Sequence, residues 1–386
     1  MASAIVTALS PLAARAQVVR ELPPAAGTSQ SYGQSIDSSG VVVGYSHGAG
    51  ADVPTIWRPT PGGYVAGHLA LPAGQTMGAA NAISSDGGAI AGYTQPNDGS
   101  TATATVWTSS GGSYSPVPLP VPVGSALTAA YAVNASGQAA GFRTNDSDFS
   151  TGVTWAPAGG GSFTTTLLPF PGRTDSVATA VNGAGDVAGY TTGAGGLLGA
   201  VWVRSGNTYT PQTVISAESA LITAMNDAGT GAGVYDEDQP LVMVLFEGDY
   251  YALDLNMPIG SSDGATNGVN SFDTLVGYAK DADTATPGQE AALWMPGETQ
   301  WEYVNLDVWL DQVNPTLGAR WTLSDAMSIS DGWLVTGNGL FDPDGTGPLG
   351  VVERAFALDV SSMVPEPAGA TLAFLTLLPL LARRRR

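Results

Sequence analysis

The chain has 386 residues, a formal net charge of −20, 12% charged residues, 51 glycines, 26 prolines and no cysteine. The missing cysteine excludes a disulfide framework, a thiolate metal site and a cysteine nucleophile, but it does not by itself place the chain in the cytoplasm. The acidic balance disfavours nucleic acid and anionic lipid as partners and tolerates cations and neutral glycans, with solubility as its simplest meaning.

Met1–Ala16 is small and apolar and ends Ala14-Arg15-Ala16 before Gln17. That is an A-x-A cleavage pattern without the positively charged start, so 1–16 reads as an incomplete signal peptide, or the true start lies upstream. Val18–Leu22 (VVREL) is a short strand with nothing before it to pair with. Then a hairpin pattern is written seven times: Ser35–Tyr45, Ala82–Tyr93, Thr128–Phe142, Ala180–Tyr190, Ala224–Val234, Gly268–Tyr278 and Ser328–Asn338. In Thr128–Phe142 (TAAYAVNASGQAAGF) one strand ends at Val133, Asn134 to Gly137 is the turn, and Gln138–Phe142 returns. Asn can bond its own backbone two residues on, and Gly supplies the positive φ that closes a short hairpin. The second glycine of each copy falls at Gly44, Gly92, Gly141, Gly189, Gly233, Gly277 and Gly337. The spacing stays in the forties until a longer last interval, which marks a repeat architecture.

A third strand follows each hairpin, in most copies ending in an aromatic: Thr55–Trp57, Thr103–Trp107, Gly152–Trp155, Gly199–Trp202, Val242–Phe246, Ala291–Trp294 and Ala355–Leu358. A fourth follows at His68–Leu71, Val117–Leu119, Thr165–Leu168, Tyr209–Val214, Tyr251–Leu255 and Tyr303–Val308. The last unit has no fourth strand of its own, and the orphan Val18–Leu22 supplies it. The expected fold is therefore all-β: a seven-bladed β-propeller over about 17–362, closed by an N-terminal strand and followed by a short C-terminal hydrophobic helix. Ala82, Ala132, Ala180 and Ala224 suit a crowded axis, and the third-strand tryptophans suit the gaps between blades. The stretch between Val308 and Ser328, with Trp309 and Trp321, is expected as a loop on one face, functional or a cover for ring closure.

Residues 363–386 hold Pro365-Glu366-Pro367, the apolar run Ala368–Ala382 and Arg383, Arg384, Arg385 and Arg386. The run is short for a membrane span, and the arginines mark a cytoplasmic side. Losing Glu366 and five arginines, Arg15 included, would shift the remaining body by four charges to about −24. These three parts, in this order, resemble a PEP-CTERM sorting signal. The resemblance implies recognition by an exosortase-type membrane protease of Gram-negative bacteria, cleavage near the Pro-Glu-Pro, transient inner-membrane tethering and release to the cell exterior or surface. The body, over about 30–360, resembles the HAF-repeat family of extracellular proteins, whose third strand is of the type His-Ala-Phe-Leu-Trp. Here the histidine is replaced, as in Thr103–Trp107, Glu290–Trp294 and Arg354–Leu358. The resemblance carries fold and location, not an activity.

Histidine chemistry has little to draw on, because His47 and His68 both fall in the first repeat, His47 in a Gly-rich stretch read as a solvated loop. No nucleophile elbow is present. Acidic groups cluster at Asp236-Glu237-Asp238 and Asp342-Pro343-Asp344-Gly345. Two carboxylates could serve glycoside hydrolysis if held ~5–9.5 Å apart. Asp342 and Asp344 also resemble the start of a Ca²⁺ loop, without the downstream Glu of an EF-hand; a solvated acidic turn is the simpler reading, and no other cofactor is indicated. The expectation is an exported surface or matrix protein that binds exopolysaccharide or partner proteins without catalysis. The alternative is a secreted carbohydrate-active enzyme, a glycoside hydrolase or lyase, using loop carboxylates.

Overall fold

The computed structural model describes residues 18–364 except 97–100, 217–218, 236–237, 262, 281–287, 346 and 348. Residues 1–16, expected as an incomplete signal peptide, together with Asp236, Glu237 and the whole C-terminal tail, including Pro365, Glu366, Pro367, Arg383–Arg386 and the expected hydrophobic helix, lie outside the described residues.

Among those residues the chain forms seven antiparallel sheets of four strands each. Six sheets are consecutive meanders, and the third blade is typical: Leu127–Val133, Ala139–Thr144, Ser150–Gly159 and Ser162–Leu168, counted from the axis outward. The seventh combines Trp321–Ile329, Leu334–Phe341 and Val352–Asp359 with Val19–Leu22 from the other end of the chain. Val19–Leu22 pairs antiparallel with the third strand, from Val19 opposite Leu358 to Leu22 opposite Ala355. The first blade packs on the seventh, so the ring is closed. The protein is a seven-bladed β-propeller.

Every innermost strand carries a β-bulge at the same place, at Gln34, Asn81, Tyr131, Thr179, Thr223, Asn267 and Met327. A bulge turns the local backbone out of the ladder. The carbonyl two residues before each bulge then points at the second strand, where a side chain would have to sit. This is the reason for the second repeated glycine: a Cβ on Gly141 would run into the carbonyl oxygen of Ala129, and the other six copies face the equivalent carbonyl.

The hairpin turns follow the expected chemistry. Asn134 Oδ1 accepts the backbone N–H groups of Ser136 (3.1 Å) and Gln138 (3.0 Å), and Gly137 closes the turn at φ +77°. Gly137→Val would force a β-branched residue into the left-handed region and is expected to destabilise the fold by about 2 kcal/mol. Urea unfolding that returns the wild-type midpoint would refute this turn assignment. In the last two blades the same position is held by Asp273 (φ +57°) and Trp333 (φ +61°).

The cores lie between blades. Trp57, Trp107, Trp155, Trp202 and Trp294 are fully buried there, as expected. Their indole N–H groups also donate across the gap to carbonyls of the preceding inter-blade loop, at Pro23, Ala70, Pro120, Pro169 and Asn256. In the fifth blade Met243 fills this position, not Phe246, which lies further along the strand and is only half-buried.

Two expectations on element boundaries are corrected. The fourth strand of the first blade is Gly63–His68, not His68–Leu71. Leu69–Gly74 is instead a loop in which buried Leu69 leads into a turn, with Gln75 N–H on Pro72 O (3.1 Å) and Gly74 at φ +83°. The stretch after the sixth blade is not a bare loop. That blade's last strand ends at Asn305, whose side chain accepts from the N–H groups of Asp307 and Val308 and so starts the helix Leu306–Val313. A second short helix, Pro315–Gly318, follows, and the inner strand begins at Trp321 rather than near Ser328. Leu306 and Leu310 enter the same core as Trp321 and Phe356, so the insertion covers the last inter-blade gap.

Candidate functional site

The ring has two faces. One carries the hairpin turns; the other carries the loops between second and third strands and between blades. Both ends of the described chain lie on the hairpin face: Asp359 N–H donates to Val18 O (2.8 Å) and Val360 N–H to Trp333 O (3.0 Å).

Along the axis lies a cavity of about 320 Å³ lined by all seven innermost strands. Ala82, Ala132, Ala180 and Ala224 line it, as expected. Four of the bulge residues, Asn81, Thr179, Thr223 and Asn267, form a polar belt around it. The Asn81 amide donates to Ala130 O (2.8 Å), Thr179 Oγ1 to Ile222 O (2.6 Å), Thr223 Oγ1 to Thr266 O (2.8 Å) and the Asn267 amide to Ala326 O (3.1 Å). Each acceptor is the residue just before the next blade's bulge, so these four side chains each tie their blade to the following one.

Asn267 also donates to Asp325 Oδ1 (2.8 Å). Asp325 occupies the inner-strand position that is Ala79, Ala129, Val177, Leu221 or Ala265 in five other blades. The residue keeps some exposed surface, yet burial pushes its carboxyl up to about 7, partly offset by the Asn267 amide. Between the ordinary Asp range near 3.9 and about 7 the folded chain therefore holds a proton that the unfolded chain has lost. Stability contributed by this group is full at the acidic end of that window and declines as pH rises through it. Asp325→Asn is expected to raise the melting temperature at pH 8 and to flatten its fall between pH 4 and 7. An unchanged slope in thermal melts across that range would refute the buried-acid assignment.

On the loop face the first and seventh blades bring titratable and aromatic groups together. Tyr32 and Tyr45, opposite one another on adjacent strands, stack with ring centroids 4.8 Å apart. Tyr32 OH donates to Glu353 Oε2, and Gln30 donates to the same oxygen (2.8 Å). His47 is not in a loop: it lies in the strand Val42–Gly48, half-exposed, with Nδ1 2.7 Å from Asp52 Oδ1. His68 Nε2 lies 3.1 Å from Ala26 O. A second aromatic pair, Tyr131 on Phe142 (5.4 Å), belongs to the third blade.

No family model matches the chain, and no curated protein matches it. Solved structures do. The β-propeller domain of Cps50 (Swd1) from Myceliophteria thermophila aligns with a TM-score of 0.50 at 10% identity, over 86% of this chain and 97% of that one. A prolyl endopeptidase aligns with a TM-score of 0.51 at 12% identity, over 85% of this chain and 50% of that one. At these identities the likeness concerns the fold alone.

The remaining sequence candidates are scattered. Asp342 Oδ1 accepts Asp344 N–H (3.2 Å), and Asp344 Oδ2 accepts Leu349 N–H (3.1 Å), so both side chains brace their own loop. Among the described residues no third acid or histidine joins them. Asp238 sits in a turn whose carbonyl accepts Gly264 N–H. The cluster around Tyr32, Tyr45, Glu353, His47 and Asp52 was not anticipated. Its signal was present in Tyr32, the one aromatic among the inner-strand positions two before the bulge, but the pairing with Glu353 depends on ring closure.

Proposed function

We propose that this is an exported, exosortase-sorted protein of the cell surface or extracellular matrix, and that its propeller serves as a non-catalytic binding or structural element for exopolysaccharide. The observation that carries the export is the sequence of parts in the tail: Pro365-Glu366-Pro367, then Ala368–Ala382, then Arg383–Arg386. The last described residue is Val364. The Pro-Glu-Pro follows directly, as a segment that resists helix and strand alike, since neither proline donates a backbone hydrogen bond. In this reading the apolar run holds the chain in the inner membrane during processing, and the arginines stay cytoplasmic. Mature protein from the host is expected to lack the tail, and replacing Arg383–Arg386 by serine is expected to leave it unprocessed. Mass spectrometry of the exported pool tests this. Intact peptides ending at Arg386 would overturn sorting and leave a membrane-tethered propeller.

The polysaccharide role is supported by the acidic balance and by the Tyr32–Tyr45 stack flanked by hydrogen-bonding side chains. A second reading, a secreted glycoside hydrolase or lyase, draws on Asp325, a carboxyl held protonated near neutral pH as a general acid requires. Hydrolysis of the matrix polysaccharide by purified protein, abolished in Asp325→Asn, would decide for it.

A further inference from the structure

The site resting on that polysaccharide-binding role can be placed and its ligand narrowed. On the loop face, the first-blade rows Gln30–His47–Asp52 and Tyr32–Tyr45–Pro54 lie two residues apart along paired strands, so their side chains share one side of the sheet. Glu353 reaches this sheet side from the seventh blade, through its bonds to Tyr32 and Gln30.

Three properties of this cluster select a ligand. The two tyrosines are stacked nearly parallel, with an interplanar angle of 20°. They form a slab rather than a cage, and both rings keep part of their surface exposed, which suits a flat apolar partner such as the C–H face of a sugar. The hydrogen bonds found among the described residues engage Oε2 of Glu353 and Oδ1 of Asp52, which leaves Oε1 and Oδ2 for an external donor. The charge is negative: both carboxylates act on Tyr32 and on Tyr45. Arg354, the adjacent base, is turned to Glu21 Oε1 (2.9 Å) and to the carbonyls of Ser29 and Glu353. Anionic sugars are repelled here, whereas a pyranose bearing an ammonium group satisfies slab and carboxylates at once.

We propose that the seam between the first and seventh blades binds a cationic amino sugar, a glucosamine-type unit of a polysaccharide, with its ring on the Tyr32–Tyr45 slab and its ammonium between Glu353 and Asp52.

Calorimetric titration of the full chain tests this with a glucosamine tetramer, the N-acetylglucosamine tetramer, cellotetraose and choline. The glucosamine tetramer is expected to bind at least ~10-fold more tightly than the other three, and ~0.5 M NaCl is expected to weaken it. Glu353→Gln and Asp52→Asn are close to isosteric, and each is expected to weaken it about tenfold while the melting temperature stays near wild type. Absence of binding, equal affinity for the three oligosaccharides, choline binding as tightly as the glucosamine tetramer, or full affinity in both variants would each overturn the proposal. Oligosaccharide binding that persists in both variants would remove this site and leave the polysaccharide role standing. Tail processing is read separately by mass spectrometry.

Discussion

Gly141→Ala is expected to cost about 3 kcal/mol, although it adds a single methyl group to a residue with ordinary backbone angles. The new Cβ would collide with the carbonyl oxygen of Ala129 and crowd Ala130 Cα, and both contacts are backbone. No rotamer change relieves a clash with backbone, so the bulge at Tyr131 must flatten or the two strands must part. Flattening moves Tyr131, and the acceptor Ala130 O moves away from the Asn81 amide of the second blade. The damage would therefore spread across a blade boundary. Gly137→Ala, four residues away, is the control: it pays only the left-handed backbone penalty of about 1 kcal/mol. Equilibrium urea unfolding of the two variants checks the order, and equal losses would refute the bulge as the cause of the glycine repeat.

Removal of residues 17–24 should abolish cooperative unfolding. It strips Val19–Leu22 from the seventh blade and leaves Val352–Asp359 as an unpaired edge, which invites association with other chains. It also removes two fully buried apolar side chains, Val19 and Leu22, and Pro23 O, the acceptor for the Trp57 indole. Thermal melting followed by circular dichroism, with light scattering to detect aggregates, tests this. A single sharp transition in a monomeric deletion variant would show that the ring holds without its latch. Leu22→Ala offers a milder comparison, expected to cost about 2–5 kcal/mol because Leu22 is fully buried.

The ring was legible in the sequence because its punctuation is local. Asn134 and Gly137 specify a turn by their own hydrogen bond and φ, and the seven second glycines record a bulge, although the spacing alone does not say why a side chain is forbidden there. Closure was legible by counting strands. The fourth strand of the first blade was misplaced because Leu69–Gly74 is as apolar as a strand, and its turn signal, Pro72 with Gly74, was outweighed by hydropathy. The helix Leu306–Val313 was hidden by its length, eight residues being too few for a helical period to stand out, although Asn305 is a good cap. The seam cluster was hidden for a different reason. Glu353 and Tyr32 are 321 positions apart, and no local pattern announces a contact made by closing a circle.

The latch also sets a clock. Val19–Leu22 are made before any of the seven hairpins, and their partners at 355–358 only after six blades have been made. A chain emerging from the ribosome can fold blades one to six in turn, each on the one before. The seventh blade cannot be completed until residues 355–358 have emerged. Until then Val19–Leu22 must wait, unpaired, beside a growing arc. Contacts of such long sequence separation form slowly and late. The finished ring is thus a record that the third strand of the seventh blade has been made, and a chain truncated anywhere before residue 355 would be left as an open arc with its first strand exposed.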